Sequence, residues 1–266
     1  MEEIFNHGIV KNDHTKDKKN SKEDKLREEW FNLSFSIQDG IGTITLADET
    51  GENLISTKFL REFKNGLKVF HHSKDVKVIL IRGNHKCFSR GVELKEISNH
   101  HSVEIADFLE FGWKVFNKLS EIRKPVIAEV SGDAFDAGFE LTLLSDLVYA
   151  SSDAQFGFPG IKKQNSPTFG GVTSLIDLVG IRFTKELLFR GNLISAQDAL
   201  DWGIINGVYD PDKISGEVLS ICKEIVNNDS QIFSYMKESV GKIIDLTRRL
   251  RLPDEISSFT ICKDLK

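Results

Sequence analysis

Lys124-Pro125-Val126-Ile127-Ala128-Glu129-Val130-Ser131-Gly132 runs on through Asp133-Ala134-Phe135-Asp136-Ala137-Gly138 into Phe139-Glu140-Leu141-Thr142-Leu143-Leu144, and this stretch decides the fold. Lys124-Pro125 breaks the helix before it. Val126 to Val130 is a short apolar run closed by Ser131-Gly132, which reads as a buried strand. Phe139 to Leu147 reads as a helix and Val148 to Ala150 as the next strand. Strands that alternate with helices on this scale argue for an α/β fold with crossover connections.

Working outward, Leu33 to Gln38 and Ile41 to Leu46 flank Asp39-Gly40. That pairing between alternating apolar runs is a strong hairpin signal. Asp48 to Asn53 carries turn chemistry, and Ser56 is placed as the N-cap of a helix whose apolar face is Leu60, Phe63, Leu67 and Phe70. Val76 to Ile81 reads as a strand stopped by Gly83 and Asn84. Ser102 is a plausible cap for a helix from Val103 to Ile122. From Val172 the pattern is mostly helical: Val172 to Leu178, Phe183 to Phe189, Ala196 to Trp202, Ile214 to Ile225 and Ile232 to Leu250, with Pro253 ending the run. Three segments result: a charged tail over 1–28, read as disordered or as a docking segment; a core domain over 29–200; and a helical region over 201–266. That last region reads as a second domain or as an arm packed on a neighbouring subunit.

The 266 residues are 40% hydrophobic and 28% charged, enough for a substantial core. A formal charge of -5 argues against bulk attraction to nucleic acid or an anionic membrane, so anionic ligands must be held locally. The three cysteines, Cys87, Cys222 and Cys262, are widely spaced with no CxxC. A disulfide framework or zinc site is not expected, and a reducing, cytoplasmic setting is. The seven histidines show no HExxH spacing, no apolar run is long enough to span a bilayer, and the N-terminus is too polar for a secretory signal.

Several segments together resemble the crotonase superfamily, the enoyl-CoA hydratases and isomerases. They are Cys87-Phe88-Ser89-Arg90-Gly91-Val92-Glu93-Leu94; the opening stretch from Lys124 to Leu141; Ala154-Gln155-Phe156-Gly157-Phe158-Pro159 with Pro167 and Gly170-Gly171; and Gly191-Asn192-Leu193-Ile194-Ser195-Ala196-Gln197-Asp198-Ala199 with Trp202-Gly203. The resemblance spans roughly Leu33 to Val240. It implies an α/β crotonase spiral of repeated ββα units with a C-terminal helical trimerisation region, assembled as a homotrimer or hexamer. It also implies a hydratase/isomerase-like, lyase-type activity on an acyl-CoA or acyl-carrier-protein thioester, with neither cofactor nor metal.

The same resemblance assigns residues. An enolate oxygen needs two preorganised N–H donors. The family's two donors fall on the backbone of Val92 and of Ala137, with Gly138 opening the following helix. Glu140 matches the first of two catalytic glutamates: as a buried carboxylate it is either a proton carrier or a structural group paired with polar partners. The second glutamate's position is Gly160, which leaves Glu140 as the single expected acid/base. Asp136 stands where a Gly is usual and reads as a second acid or as the helix cap. Asn53 and Leu54 lie where the family's Asn-Ala-Leu borders the CoA loop, preceded here by Glu52 instead of a basic residue. Ser89, Arg90 and Gly91 complete the substrate-binding set with Gly138 and Gly160. Lys86, Arg90 and Lys95 are candidates for a phosphate, and a chain stopping at Lys266 suggests a more open pocket. These departures keep a second function in view: a non-catalytic subunit that binds a partner or carrier protein.

Overall fold

The computed structural model describes residues 32–97, 102–229 and 232–240. The tail expected over 1–28 and the last part of the expected 232–250 helix lie outside these residues.

The chain enters through β1 (Leu33–Gln38) and β2 (Ile41–Leu46), paired antiparallel from Leu33↔Leu46 to Gln38↔Ile41. Asp39 and Gly40 both have positive φ, 51° and 81°, as a two-residue turn matched to the strand twist requires. Helix α1 (Thr57–His72) follows, and the Ser56 side chain accepts the Phe59 N–H at 3.1 Å as its cap. Its buried face includes Phe59, Leu60, Phe63, Leu67 and Phe70.

Three ββα units then succeed one another. β3 (Val78–Arg82) and β4 (Cys87–Ser89) lead to α2 (Leu94–Ile97) and α3 (Ser102–Glu121). β5 (Val126–Val130) and β6 (Asp133–Phe135) lead to α4 (Ala137–Leu143). β7 (Leu147–Ser151) and β8 (Gln155–Gly157) lead through a 3-10 turn (Pro159–Lys163) to α5 (Gly171–Arg190). The chain closes with β9 (Leu193–Ser195), α6 (Ala196–Asp201), β10 (Gly207–Tyr209), α7 (Ile214–Val226) and a helix over 232–240. The first strand of each unit enters one sheet, ordered β1-β2-β3-β5-β7-β10 and parallel from β2 onward. The second strand of each enters a smaller sheet, ordered β4-β6-β8-β9, parallel until β9 reverses. This is the expected spiral, and it stacks the loops after β4, β6 and β8 along one edge.

One expected boundary is corrected. The helix read over 139–147 runs only from Ala137 to Leu143, and Asp146 beyond it accepts the Val126 N–H at 2.7 Å. The segment after 172 is mostly helical, as expected, with the short strands β9 and β10 among the helices. β10 extends the large sheet beside β7, and α7 buries Ile214, Val218 and Cys222 against Ile41, Val78, Leu80 and Ile127. Through residue 226 the C-terminal part thus packs on the large sheet. The two helices read over 172–178 and 183–189 are both present within Gly171–Arg190, separated where Gly180 takes φ 74° and ψ 170°. Among the described residues, no helix is long and apolar enough to cross a membrane.

Lys237, on the last helix, donates to the carbonyls of Leu119 and Lys124 at 2.8 and 3.1 Å and to the Asp146 carboxylate at 2.6 Å. One cation thus ties the ends of α3 and α4 to the C-terminal helix. Inside, a relay of rings runs from the stacked pair Phe59 and Phe63 to Phe116 and on to Phe169, whose ring centroid lies 4.9 Å from that of Phe116. Phe116 is fully buried, so Phe116→Ala should leave a cavity and cost about 3–5 kcal/mol, read as a lower urea midpoint with little change in slope.

Candidate active site

Asn53 comes first, because it sets the loop that carries several of the expected residues. It is buried with a positive φ of 52°. Its Nδ2 donates to the carbonyls of Cys87 and Phe88 at 3.0 and 3.1 Å, while its Oδ1 accepts the Asp48 N–H at 3.2 Å. Asn53 is therefore a clip between two loops. Ser89 adds to the clip: its buried hydroxyl donates to the Asn53 carbonyl at 2.7 Å and accepts the Gly91 N–H at 3.2 Å. The Leu54 N–H is held by the Asp48 carboxylate at 2.9 Å.

These bonds shape the segment from Ser89 to Val92. Gly91 has φ 94°, a left-handed value that disfavours a side chain. A Cβ on it would stand 2.9 Å from Asp136 Cβ and 3.2 Å from the Ala137 N, so the loop after β4 and the turn before α4 nearly touch. Gly138 permits the same closeness from the other side, since a Cβ there would run into the Ser89 carbonyl. Ile55 bonds on either side of Val92, donating to the Gly91 carbonyl at 2.8 Å and accepting the Glu93 N–H at 3.1 Å. The Val92 N–H accordingly points away from Ile55. Among the described residues neither it nor the Ala137 N–H has an acceptor.

Glu140 lies on α4. Its carboxylate is completely buried and accepts four donors: the N–H of Thr168 at 3.0 and 3.2 Å to its two oxygens, the Thr168 hydroxyl at 3.2 Å, the Phe169 N–H at 2.7 Å and the Gly171 N–H at 2.8 Å. Burial pushes its pKa up, and these donors pull it back. Both oxygens are engaged by donors at the start of α5, so Glu140 is paired with polar partners. Thr168, Phe169 and Gly171 were missed as site residues. Pro167 and the Gly170-Gly171 pair mark that turn in the sequence, but their backbone donors leave no side-chain signature.

Asp136 is not a helix cap by its side chain. Its Oδ1 instead accepts the Gly160 N–H at 2.9 Å, across from the 3-10 turn. Its own N–H donates to the Gly157 carbonyl at 2.9 Å. The side chain is half-buried, and burial pushes its pKa up to about 6, with the Gly160 N–H opposing and the Glu140 charge adding to the rise. Its backbone has φ 50° and ψ -123°, a combination that suits glycine and holds a side chain at a strain of about 1–3 kcal/mol. Asp133 is partly buried and accepts the Gln155 N–H at 3.2 Å.

Arg90 is exposed at the rim. Its guanidinium lies 5.6 Å from the Phe135 ring centroid and its Nε 3.7 Å from the Glu52 carboxylate. Lys86 and Lys95 are exposed too, on either side of the Ser89 to Val92 segment. The structure thus gathers Val92, Gly91, Asp136, Ala137, Gly138 and Gly160 around one spot, with Arg90 at its edge, while Asn53, Ser89 and Glu140 are bonded to main-chain groups beside it.

Comparison with known proteins agrees with this architecture. The family model described as "Enoyl-CoA hydratase/isomerase" matches residues 36–260. The mitochondrial enoyl-CoA hydratase of Pongo abelii is 32% identical over 209 residues, covering 78% of this chain and 71% of that protein. A probable enoyl-CoA hydratase of Rhizobium meliloti is 32% identical over 217 residues, covering 81% and 83% respectively. The crystal structure of an enoyl-CoA hydratase from Bacillus anthracis superposes with a TM-score of 0.77 at 25% identity, covering 86% of this chain and 91% of the other. With its spiral of ββα units and this match along most of its length, the chain belongs to the enoyl-CoA hydratase/isomerase family of the crotonase superfamily.

Proposed function

We propose that the chain acts on an acyl-CoA thioester by hydratase/isomerase-type chemistry through an enolate. The observation that carries this reading is the approach of two loops, which brings the unpaired N–H groups of Val92 and Ala137 to one place beside a carboxyl group. A thioester oxygen accepting both donors gains most as it becomes an enolate oxygen, because fixed backbone dipoles need no reorganisation as charge develops. The α-proton leaves to a carboxylate at the turn before α4, and the bond it leaves behind supplies the electron pair of the enolate. Reprotonation at the α-carbon or further along the acyl chain, with or without water, sets the product. Arg90 at the rim is offered to the phosphates of the CoA moiety.

Glu140 has a positioning role here. It holds Thr168 to Gly171 in place and so fixes the floor under Ala137. Exposed Ile181, Phe189, Tyr235 and Met236 support the assembly of several copies, a trimer or hexamer.

The reading is tested by deuterium uptake at the α-carbon of a panel of acyl-CoA thioesters in heavy water, followed by mass spectrometry. Uptake is expected for at least one thioester; a folded protein that exchanges none of them overturns the proposal. Gly91→Ala forces the two loops apart and should reduce uptake about 100-fold or more while the circular dichroism spectrum is retained. Glu140→Gln turns an NH2 group toward backbone donors, and should lower stability by about 2–3 kcal/mol in urea titration. Sedimentation should give a trimer or hexamer, and a monomer at micromolar concentration would remove the assembly from this proposal.

A further inference from the structure

Position 160 and Asp136 compete for one volume. A Cβ built on Gly160 would stand 2.7 Å from Asp136 Oδ1 and 2.9 Å from Oδ2, so the Asp136 carboxyl already fills the space into which a side chain at 160 would grow. The absence of a side chain at 160 also leaves its N–H open to hold that carboxyl at 2.9 Å. On the other side, Asp136 Cβ borders Gly91, next to the Ala137 amide. The carboxyl therefore lies between the 3-10 turn and the two facing donors. Glu140, one turn along α4, is sealed away and Asp136 is not. The chain keeps Asp136 there despite a backbone conformation that favours glycine, and an outlier of this kind points to a function for the side chain.

We propose that Asp136 is the group that exchanges protons with the bound acyl thioester, a carboxylate delivered from the turn before α4 into the space that a side chain at position 160 would otherwise occupy. The inference rests on the enolate reading above and names its proton carrier. In the step, the Cα–H bond breaks, the proton passes to an Asp136 oxygen, and the electron pair becomes the enolate with its negative charge on the thioester oxygen. Return of the proton restores a neutral thioester and the Asp136 carboxylate. The charged groups that bear on Asp136 are Glu140 from its own helix and Lys163 from the 3-10 turn. With a pKa of about 6, Asp136 is mostly deprotonated at neutral pH and accepts a proton readily.

The experiment compares α-deuterium exchange across pH for the parent protein, Asp136→Asn, Asp136→Gly, Gly160→Glu and the double variant Asp136→Gly with Gly160→Glu. The parent's exchange should fall on the acid side with a midpoint near 6, because protonation removes the base. Asp136→Asn should lose about 100-fold or more with little change in thioester affinity. Asp136→Gly should lose as much yet melt no lower than the parent, since the strain is released. Gly160→Glu alone crowds Asp136 and should be impaired, whereas the double variant should regain at least about tenfold over Asp136→Gly, a range set by general acid–base catalysis. A parent that exchanges normally while Asp136→Asn or Asp136→Gly stays within about threefold of it overturns the assignment and leaves the enolate reading standing. A folded parent without exchange overturns the enolate reading itself.

Discussion

The site hangs on the Glu140 carboxylate and the four donors that converge on it from Thr168, Phe169 and Gly171. A fully buried carboxylate is unfavourable unless its lone pairs are met, and here they are met by backbone amides at the entrance to α5. Two consecutive ββα units are joined by this contact, since Glu140 belongs to the second and its donors to the third. Phe169, one of those donors, also sits in the ring relay with Phe116. The polar clip and the aromatic core thus share a residue, and the turn before α4 inherits the rigidity of both. Loops built this way present amide groups in fixed directions, which is what a developing negative charge requires.

A second constraint is spatial closeness. Three glycines, Gly91, Gly138 and Gly160, each stand where a Cβ would collide with the opposite segment. The result is a narrow meeting of the β4, β6 and β8 loops, with Asp136 as the side chain that occupies the gap by Gly160. Asn53 and Ser89 hold the β4 loop from behind through bonds to main-chain groups. What looks in sequence like a set of binding residues is in large part a scaffold that aims the backbone.

Legibility in the sequence follows from range. The hairpin at Asp39-Gly40, the Ser56 cap and the strand Val126–Val130 are set by local chemistry and were readable. The short strands β4, β6 and β8 were not, because three residues carry no period and their pairing is to distant neighbours. β9 and β10 were hidden in a segment whose composition is helical. For the site, the order of motifs located Val92, Ala137, Glu140 and Gly160. It did not locate the partners of Glu140, since those are amides that any residue supplies. Nor did it foresee that Asp136 turns toward Gly160 instead of capping its own helix, because that choice depends on a turn more than twenty positions away.

The shared volume of Asp136 and Gly160 has a consequence for descent. A carboxyl group at one position crowds out a side chain at the other, so the two arrangements are alternatives and not additions. A lineage moving between them by single substitutions passes through a form with both groups jammed together or a form with neither. The second form keeps the unstrained glycine turn and the Glu140 clip, so the framework remains while the gap holds no carboxyl group. This divides the neighbourhood of the sequence into two basins separated by a form that has neither group.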